Sequence, residues 1–261
     1  MENNFLRRKR EKQLFVLLVI ICVVVIASSY VKFSFVKGIS GTFNAFKWMA
    51  TSFIPDADSL TKLPDILRKL LETILLSISA AVVASIFAVF LGINGSKITR
   101  INGVISTISR VIASISRNTP DAVWAMIFLI SFGQNILTGY FALFFVSLGI
   151  LTRAFIETMD EASISSVEGL KSTGATRLHI VTKAVIPSSL PQMISWLLYM
   201  IETNIRSSTL IGILTGTGIG FSFNVYYKSM NYHAASLVVL SIVVAVIVIE
   251  FVSNKIRRVI I

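Results

Sequence analysis

From Leu14 to Val31 the chain carries no charged residue, and a helix of that length can cross the roughly 30 Å hydrocarbon core of a bilayer. The feature recurs. Leu70 to Ile93, Ile101 to Phe132, Ile136 to Phe155, Pro191 to Leu214 and Tyr232 to Phe251 are apolar over comparable lengths, and each reads as a further span. Only 14% of the 261 residues are charged and 54% are hydrophobic. A soluble domain carries about 25% charge, so polar surface is too scarce here to face water everywhere. The expected fold is all-α and integral to a membrane, with about six transmembrane helices and a lipid bilayer as solvent.

The formal net charge is +11. Lys and Arg gather at the ends of the apolar runs and form no basic stripe interleaved with aromatics. That distribution excludes nucleic acid as a partner and reads as membrane orientation. Arg7 to Lys12 precede the first run, which exceeds the 7–15 apolar residues of a signal peptide and leads to no small-x-small cleavage site. The expectation is a retained first span with a cytoplasmic N-terminus. The Lys97/Arg100 turn, the polar segment 157–187 and the basic tail Asn254 to Arg258 then fall inside, while the turns after Phe132 and Leu214 carry almost no positive charge. The first outer loop, with Lys32, Lys37, Lys47, Lys62, Arg68 and Lys69, runs against the rule. The orientation therefore rests on the other segments and on an even number of spans: a multi-pass protein of the bacterial plasma (inner) membrane with both termini cytoplasmic.

Two regions follow. Residues 1–69 comprise the basic segment, the first span and an external loop, with an amphipathic helix expected near Phe43 to Phe53. Residues 70–261 form the core. Asn118-Thr119-Pro120 breaks or kinks the Ile101–Phe132 span, because Pro removes a helix donor. Cys22 is the sole cysteine, and His179 and His233 stand far apart without ligand spacing, so neither a disulfide framework nor a metal site is expected. A membrane-embedded enzyme would lack catalytic residues, and no cofactor is expected. Gly216-Thr217-Gly218-Ile219-Gly220 follows no strand and leads to no Lys-Ser, so it is not a phosphate-cradling loop. It reads as a tight turn at the outer mouth.

The segment 157–187 is too polar to span. Ser165 and Glu168 have capping-box spacing, Gly174 can take the positive φ that stops a helix, and Thr176 can cap a second helix through His179 and Lys183 that Pro187 ends. A short helix, a turn and a second helix would lie beneath the membrane. This pattern resembles the EAA loop of ABC importer permeases: Glu168, Gly174 six residues on, and Pro187 thirteen beyond, after the aliphatic Ile186. Gly169 and Leu170 stand where that family usually has two alanines. Further stretches, Arg117 to Ala125, Thr173 to Leu178 and Leu198 to Gly212, are similar to the permeases of phosphonate-type importers. The resemblance implies the type I (MetI-like) permease fold and a non-catalytic permease. Glu168, Gly174, Ala175 and Pro187 would be its coupling contacts with ABC ATPase subunits. It also implies a second copy of the chain, an extracytoplasmic substrate-binding protein, and phosphonate, phosphate or a related oxyanion as cargo. The alternatives are the same machine carrying methionine or a quaternary amine, or an ion-coupled secondary transporter. The latter would show inverted repeats and paired broken helices, and one broken helix is visible.

Glu202 and Arg206 lie four residues apart inside the fifth span. Each would cost about 2.5–3.5 kcal/mol at mid-span, so they should pair and face protein or water. Two readings stand: Arg206, with Asn204 nearby, meets a passing oxyanion or holds a gate, or the pair only tightens packing. Arg117 and Asp121 share the spacing beside Pro120. Arg117 is placed with Glu202, Asn204 and Arg206 as pathway or gate, and the Arg117–Asp121 pair reads as support for the kink.

Overall fold

The computed structural model describes residues 2–162 and 164–260, and the side chains of 10–34, 37–161 and 167–260. It divides into two compact units, Met1–Ile54 and Pro55–Ile261. In the first, α1 (Glu2–Tyr30) ends where Lys32 takes a φ of 55°. The Phe33 and Lys32 N–H groups then donate to the Ser28 and Ser29 carbonyls at 2.8 and 3.2 Å, the two bonds of a Schellman stop. Ser34 caps α2 (Phe35–Ser52) by accepting from the Lys37 N–H. This amphipathic helix begins earlier than the Phe43–Phe53 expected of it.

The second unit opens with α3 (Ala57–Leu60) and α4 (Leu63–Gly95). Pro64 sits in the first turn of α4, where a missing N–H costs nothing, so the helix starts within the stretch expected as loop. After α4 come α5 (Gly103–Asn118), α6 (Asp121–Phe132), α7 (Ile136–Ala162), α8 (Ile164–Ser172) and α9 (Arg177–Ile180). A π turn over Val181–Val185 joins α9 to α10 (Ile186–Thr215), and α11 (Gly218–Lys228) and α12 (Tyr232–Ile260) close the unit.

Packing follows the logic of lipid rather than water. One face of α4 is a stripe of small buried residues, Ser77, Ala80, Ala81, Ala84, Ala88 and Gly92, and α7 packs along this helix. A Cβ on Gly92 would stand 3.3 Å from the Phe155 Cβ. The other face exposes Leu71, Leu75, Val82, Ile86 and Phe90, apolar surface suited to acyl chains. Since lipid does not drive helices together, close backbone approach and dispersion must do so, and small residues permit it. α7 is the central helix: 61% of its apolar window is buried, against 28% for α4.

Among the described residues, five helices are long and apolar enough to cross a membrane: Arg10–Tyr30, Leu63–Gly95, Ile136–Glu161, Arg177–Thr215 and Tyr232–Ile260. The further crossing expected over Ile101–Phe132 as one broken or kinked span is broken, into two separate helices. At 16 and 12 residues, α5 and α6 are each shorter than a bilayer core at 1.5 Å per residue. Together they run the length of the bundle. Ser106 and Arg110 of α5 hydrogen-bond to Gly95 at the end of α4. Past the far end of α6, Gln134 lies against Gly216 at the end of α10. The break is at Thr119, extended at ψ 118° as the residue before proline must be.

Pro187 does not end a helix, contrary to expectation. The Ile186 N–H reaches back to the Val181 carbonyl across the π turn, so the missing donor of Pro187 falls where the ladder is already widened. α9, the π turn and α10 form one continuous run of 39 residues.

Candidate functional site

The polar segment between α7 and α10 builds the expected helix–turn–helix, with different stitching. α8 begins at Ile164; the proposed Ser165 side-chain cap lies outside the described residues. At its other end Gly174 has a φ of 76°. The Ala175 N–H donates to the Leu170 carbonyl at 3.2 Å and the Gly174 N–H to the Lys171 carbonyl at 3.0 Å, again a Schellman stop. Thr176 occupies the N-cap of α9 without capping a backbone N–H; its hydroxyl instead meets His179 Nδ1 at 3.0 Å. Val167 is 3% exposed and joins Leu151, Phe155, Met159, Ile180 and Val185 in the largest core cluster, with Leu170 and Ala175 against its edge. One apolar side thus anchors α8, and Glu168 and Gly169 are left exposed. Pro187 is exposed at the start of α10.

Both flanks of this segment grip the turn between α4 and α5. Asp160, near the end of α7, accepts from the Ser96 hydroxyl and from the Lys97 N–H at 2.9 Å. Arg177, the first residue of α9, donates Nε to the Thr99 carbonyl at 2.6 Å. Arg110 donates Nε and a terminal N–H to the Gly95 carbonyl at 2.9 and 2.7 Å, a cation on the negative end of α4. Asp160 escaped sequence reasoning because its partner is more than sixty positions away.

Within α10, Arg206 and Glu202 pair as their spacing suggested, at 3.0 Å. A third group joins them: Arg257, in the last turn of α12, lies 3.7 Å from the second Glu202 oxygen. Glu202 is therefore tied to the basic end of the last helix, not isolated at mid-span. Among the described residues, one buried carboxylate serves two guanidiniums, and the three groups together carry one net positive charge. The Glu202 side chain is 11% exposed and that of Arg206 52%, so Arg206 turns outward with Tyr199 and Leu210 on the open face of α10. Arg257 escaped notice because it sits in a terminal basic run that reads as an orientation signal.

Asn204 points the other way. It is 1% exposed, and Nδ2 donates to Ser147 Oγ at 2.8 Å and to the Ser77 carbonyl at 3.5 Å, clasping α10 to α7 and α4. Arg117 is exposed at the end of α5. Among the described residues no ion pair joins it to Asp121, whose carboxylate accepts from the Ala122 N–H. What holds the break is the Trp124 indole N–H on the Ser116 carbonyl at 3.3 Å and the crossing at Gly149, where a Cβ would come within 2.4 Å of the Arg117 nitrogen.

At the far end, Gly216 and Gly218 take φ of 70° and 63° and fold α11 back along α10. The approach is close enough that a Cβ on Gly212 would meet the Thr217 carbonyl at 2.5 Å. Thr73 of α4 accepts from the Ile219 N–H at 2.8 Å, sealing three helices together.

Residues 84–261 match the family of inner membrane components of binding-protein-dependent transport systems. The chain belongs to this family. As a member it is a multi-pass inner membrane permease of an ABC importer. It is 27% identical over 192 residues to the phosphite transport system permease protein PtxC of Stutzerimonas stutzeri, covering 74% of this chain and 70% of that protein. It is also 27% identical over 188 residues to the phosphate-import permease protein PhnE of Mycolicibacterium smegmatis, covering 72% of this chain but 35% of that longer protein. Among solved structures it is similar to a chain of an amino acid ABC transporter with histidines, at a TM-score of 0.67 and 16% identity over 78% of this permease and 98% of that chain. A chain of the inward-facing MetNI methionine ABC transporter gives 0.62 and 18% over 76% and 98%. At these identities the likeness is one of fold, the type I (MetI-like) permease fold.

Proposed function

We propose that this permease carries phosphate, phosphite, phosphonate or a related phosphorus oxyanion into the cell. The observation that carries the cargo class is the Glu202 cluster. Two guanidiniums on one carboxylate leave net positive charge inside the membrane domain, and a neutralising pair would not need the second arginine. Charge retained within a span is functional by default, and the planar guanidinium of Arg206 suits phosphoryl oxygens. The names of the relatives support the same class.

In this reading two copies of the chain, related by a two-fold axis, face each other across the open side of α10 that carries Tyr199, Arg206 and Leu210, with Arg117 lining the approach. Both termini, the α4–α5 turn and α8 lie in the cytoplasm. There Glu168, Gly174 and Ala175 present α8 to an ATPase subunit that performs all the hydrolysis, and Pro187 sets the angle at which α10 leaves. A binding protein delivers cargo at the glycine-rich end. Asn204 holds the helices that frame the passage.

The test is uptake of labelled phosphate and methylphosphonate in membranes matched for protein level. Removing Glu202 alone, as Glu202→Gln, leaves guanidiniums without their carboxylate and should lower accumulation of the chain. Arg206→Met alone leaves Glu202 paired with Arg257, so accumulation should hold while uptake falls. Full uptake by Arg206→Met would refute oxyanion contact at Arg206.

A further inference from the structure

We propose that the α4–α5 turn, Ser96 to Arg100, is the member through which movement of α8 reaches the membrane helices, with Asp160 and Arg177 as the positioning residues that fasten it. The proposal rests on reading α8 as the ATPase contact.

The geometry is that of a segment clipped at both ends to one short turn. Chain leaving α7 passes Asp160, which holds the Ser96 hydroxyl and the Lys97 N–H. It then forms α8, rounds Gly174, and returns at Arg177, which holds the Thr99 carbonyl. Only Ile98 lies between those two grips. The turn is itself stiff: Ser96 and Thr99 are 0% and 1% exposed. Ser96 Oγ accepts from the Ile98 N–H at 3.2 Å, and the Thr99 hydroxyl donates to the Ile93 carbonyl at 2.6 Å. A rigid turn gripped on both sides cannot stay behind when α8 moves.

What the turn joins gives the grip its consequence. Gly95 ends α4 against α7, where a Cβ would come within 2.4 Å of the Ile156 side chain. Arg110 and Ser106 fasten the start of α5 to the same carbonyl. Displacement of the turn is therefore shared between α4, the long helix packed on α7, and α5, which leads into the break at Thr119–Pro120. By contrast, among the described residues α8 touches the rest of the unit through the buried Val167 and the half-buried Leu170, apolar contacts without the fixed direction of a hydrogen bond. Both grips use charged groups on neutral acceptors and donors, hydrogen bonds about twice as strong as neutral ones.

The experiment uses the assembled importer: this chain with its ATPase subunit and binding protein, in lipid. In a Cys22→Ser background, spin labels at Lys97→Cys and Lys171→Cys report the distance from the turn to α8, without and with trapped ATP. The expected result is an unchanged, narrow distance in both states. Arg177→Ala should make it shift with nucleotide and lower binding-protein-stimulated ATP hydrolysis about tenfold, within the ordinary range of coupling energies. The ATPase subunit should still copurify. Asp160→Ala should behave alike, whereas Asp160→Asn keeps an acceptor oxygen and should stay near the parent. The proposal is overturned if the distance already changes in the parent, if Arg177→Ala hydrolyses at the parental rate, or if it sheds the ATPase subunit, which would make Arg177 a docking contact. Failure of the parent chain to retain any ATPase subunit would instead overturn the reading of α8.

Discussion

Gly174 offers an unusually clean perturbation, because no heavy atom lies within 4 Å of where its Cβ would be. Substitution there meets no steric neighbour, and the whole effect must come from the backbone, held at φ 76°. An L-residue in that region is disfavoured by about 1–2 kcal/mol, least for Asn and most for a β-branched residue. The opposing quantity is the anchor of α8. Val167 is almost fully buried, and burying such a side chain is worth about 1.5–3 kcal/mol. Strain and anchor are thus of similar size. A change of one to two kcal/mol shifts a two-state population by roughly 5–30-fold, so a β-branched residue should leave α8 undocked for much of the time. The expected order of binding-protein-stimulated ATP hydrolysis and of phosphate uptake is parent, Gly174→Asn, Gly174→Ala, Gly174→Val, the last reduced at least about tenfold on the same scale. Membrane insertion should be equal throughout. Parental activity in Gly174→Val would refute the argument, and so would equal losses in the Asn and Val variants, since a missing glycine contact rather than the turn would then be at fault.

Asn204→Ala removes the donors to Ser147 and Ser77 and should lower stability of the detergent-solubilised protein by about 1–3 kcal/mol, read as a fall in melting temperature without loss of topology. Gly149→Ala places a methyl against the Ser116–Arg117 backbone and should cost at least about 1–3 kcal/mol through overpacking; thermal stability equal to the parent would contradict the described crossing. A topology reporter fused after Lys183 should score cytoplasmic and one at Asp58 external. A cytoplasmic Asp58 would mean that the basic first loop outweighs the other charges and that the proposed orientation is inverted or the count of crossings odd.

The membrane class was legible because spans are set by length and apolar content, which are local properties. The α8–Gly174–α9 turn was legible for the same reason, since a Schellman stop needs only neighbours in sequence. Pro187 misled because its rule concerns α-helical registry, and a π turn changes that registry just upstream. The break in the Ile101–Phe132 stretch was legible too, because Pro120 removes a helix donor and holds Thr119 extended, again a rule between neighbours. Arg257 on Glu202, Asp160 on Ser96 and Arg177 on Thr99 were invisible because each joins residues dozens of positions apart. Asn204 could be marked as polar within a span, but only packing reveals that it faces α7 and not the open side of α10.

The two-piece crossing bears on how the chain is assembled during synthesis. A segment entering lipid by itself must satisfy its backbone and offer sustained apolar length. α5 is 16 residues long with buried serines on one face, and α6 has 12 residues. The helix that covers both of them is α7, which emerges later. Partitioning of α5 and α6 must therefore be cooperative with a downstream helix, so a ribosome stalled before Phe155 should hold a nascent chain in which α5 is still protease-sensitive at the membrane surface.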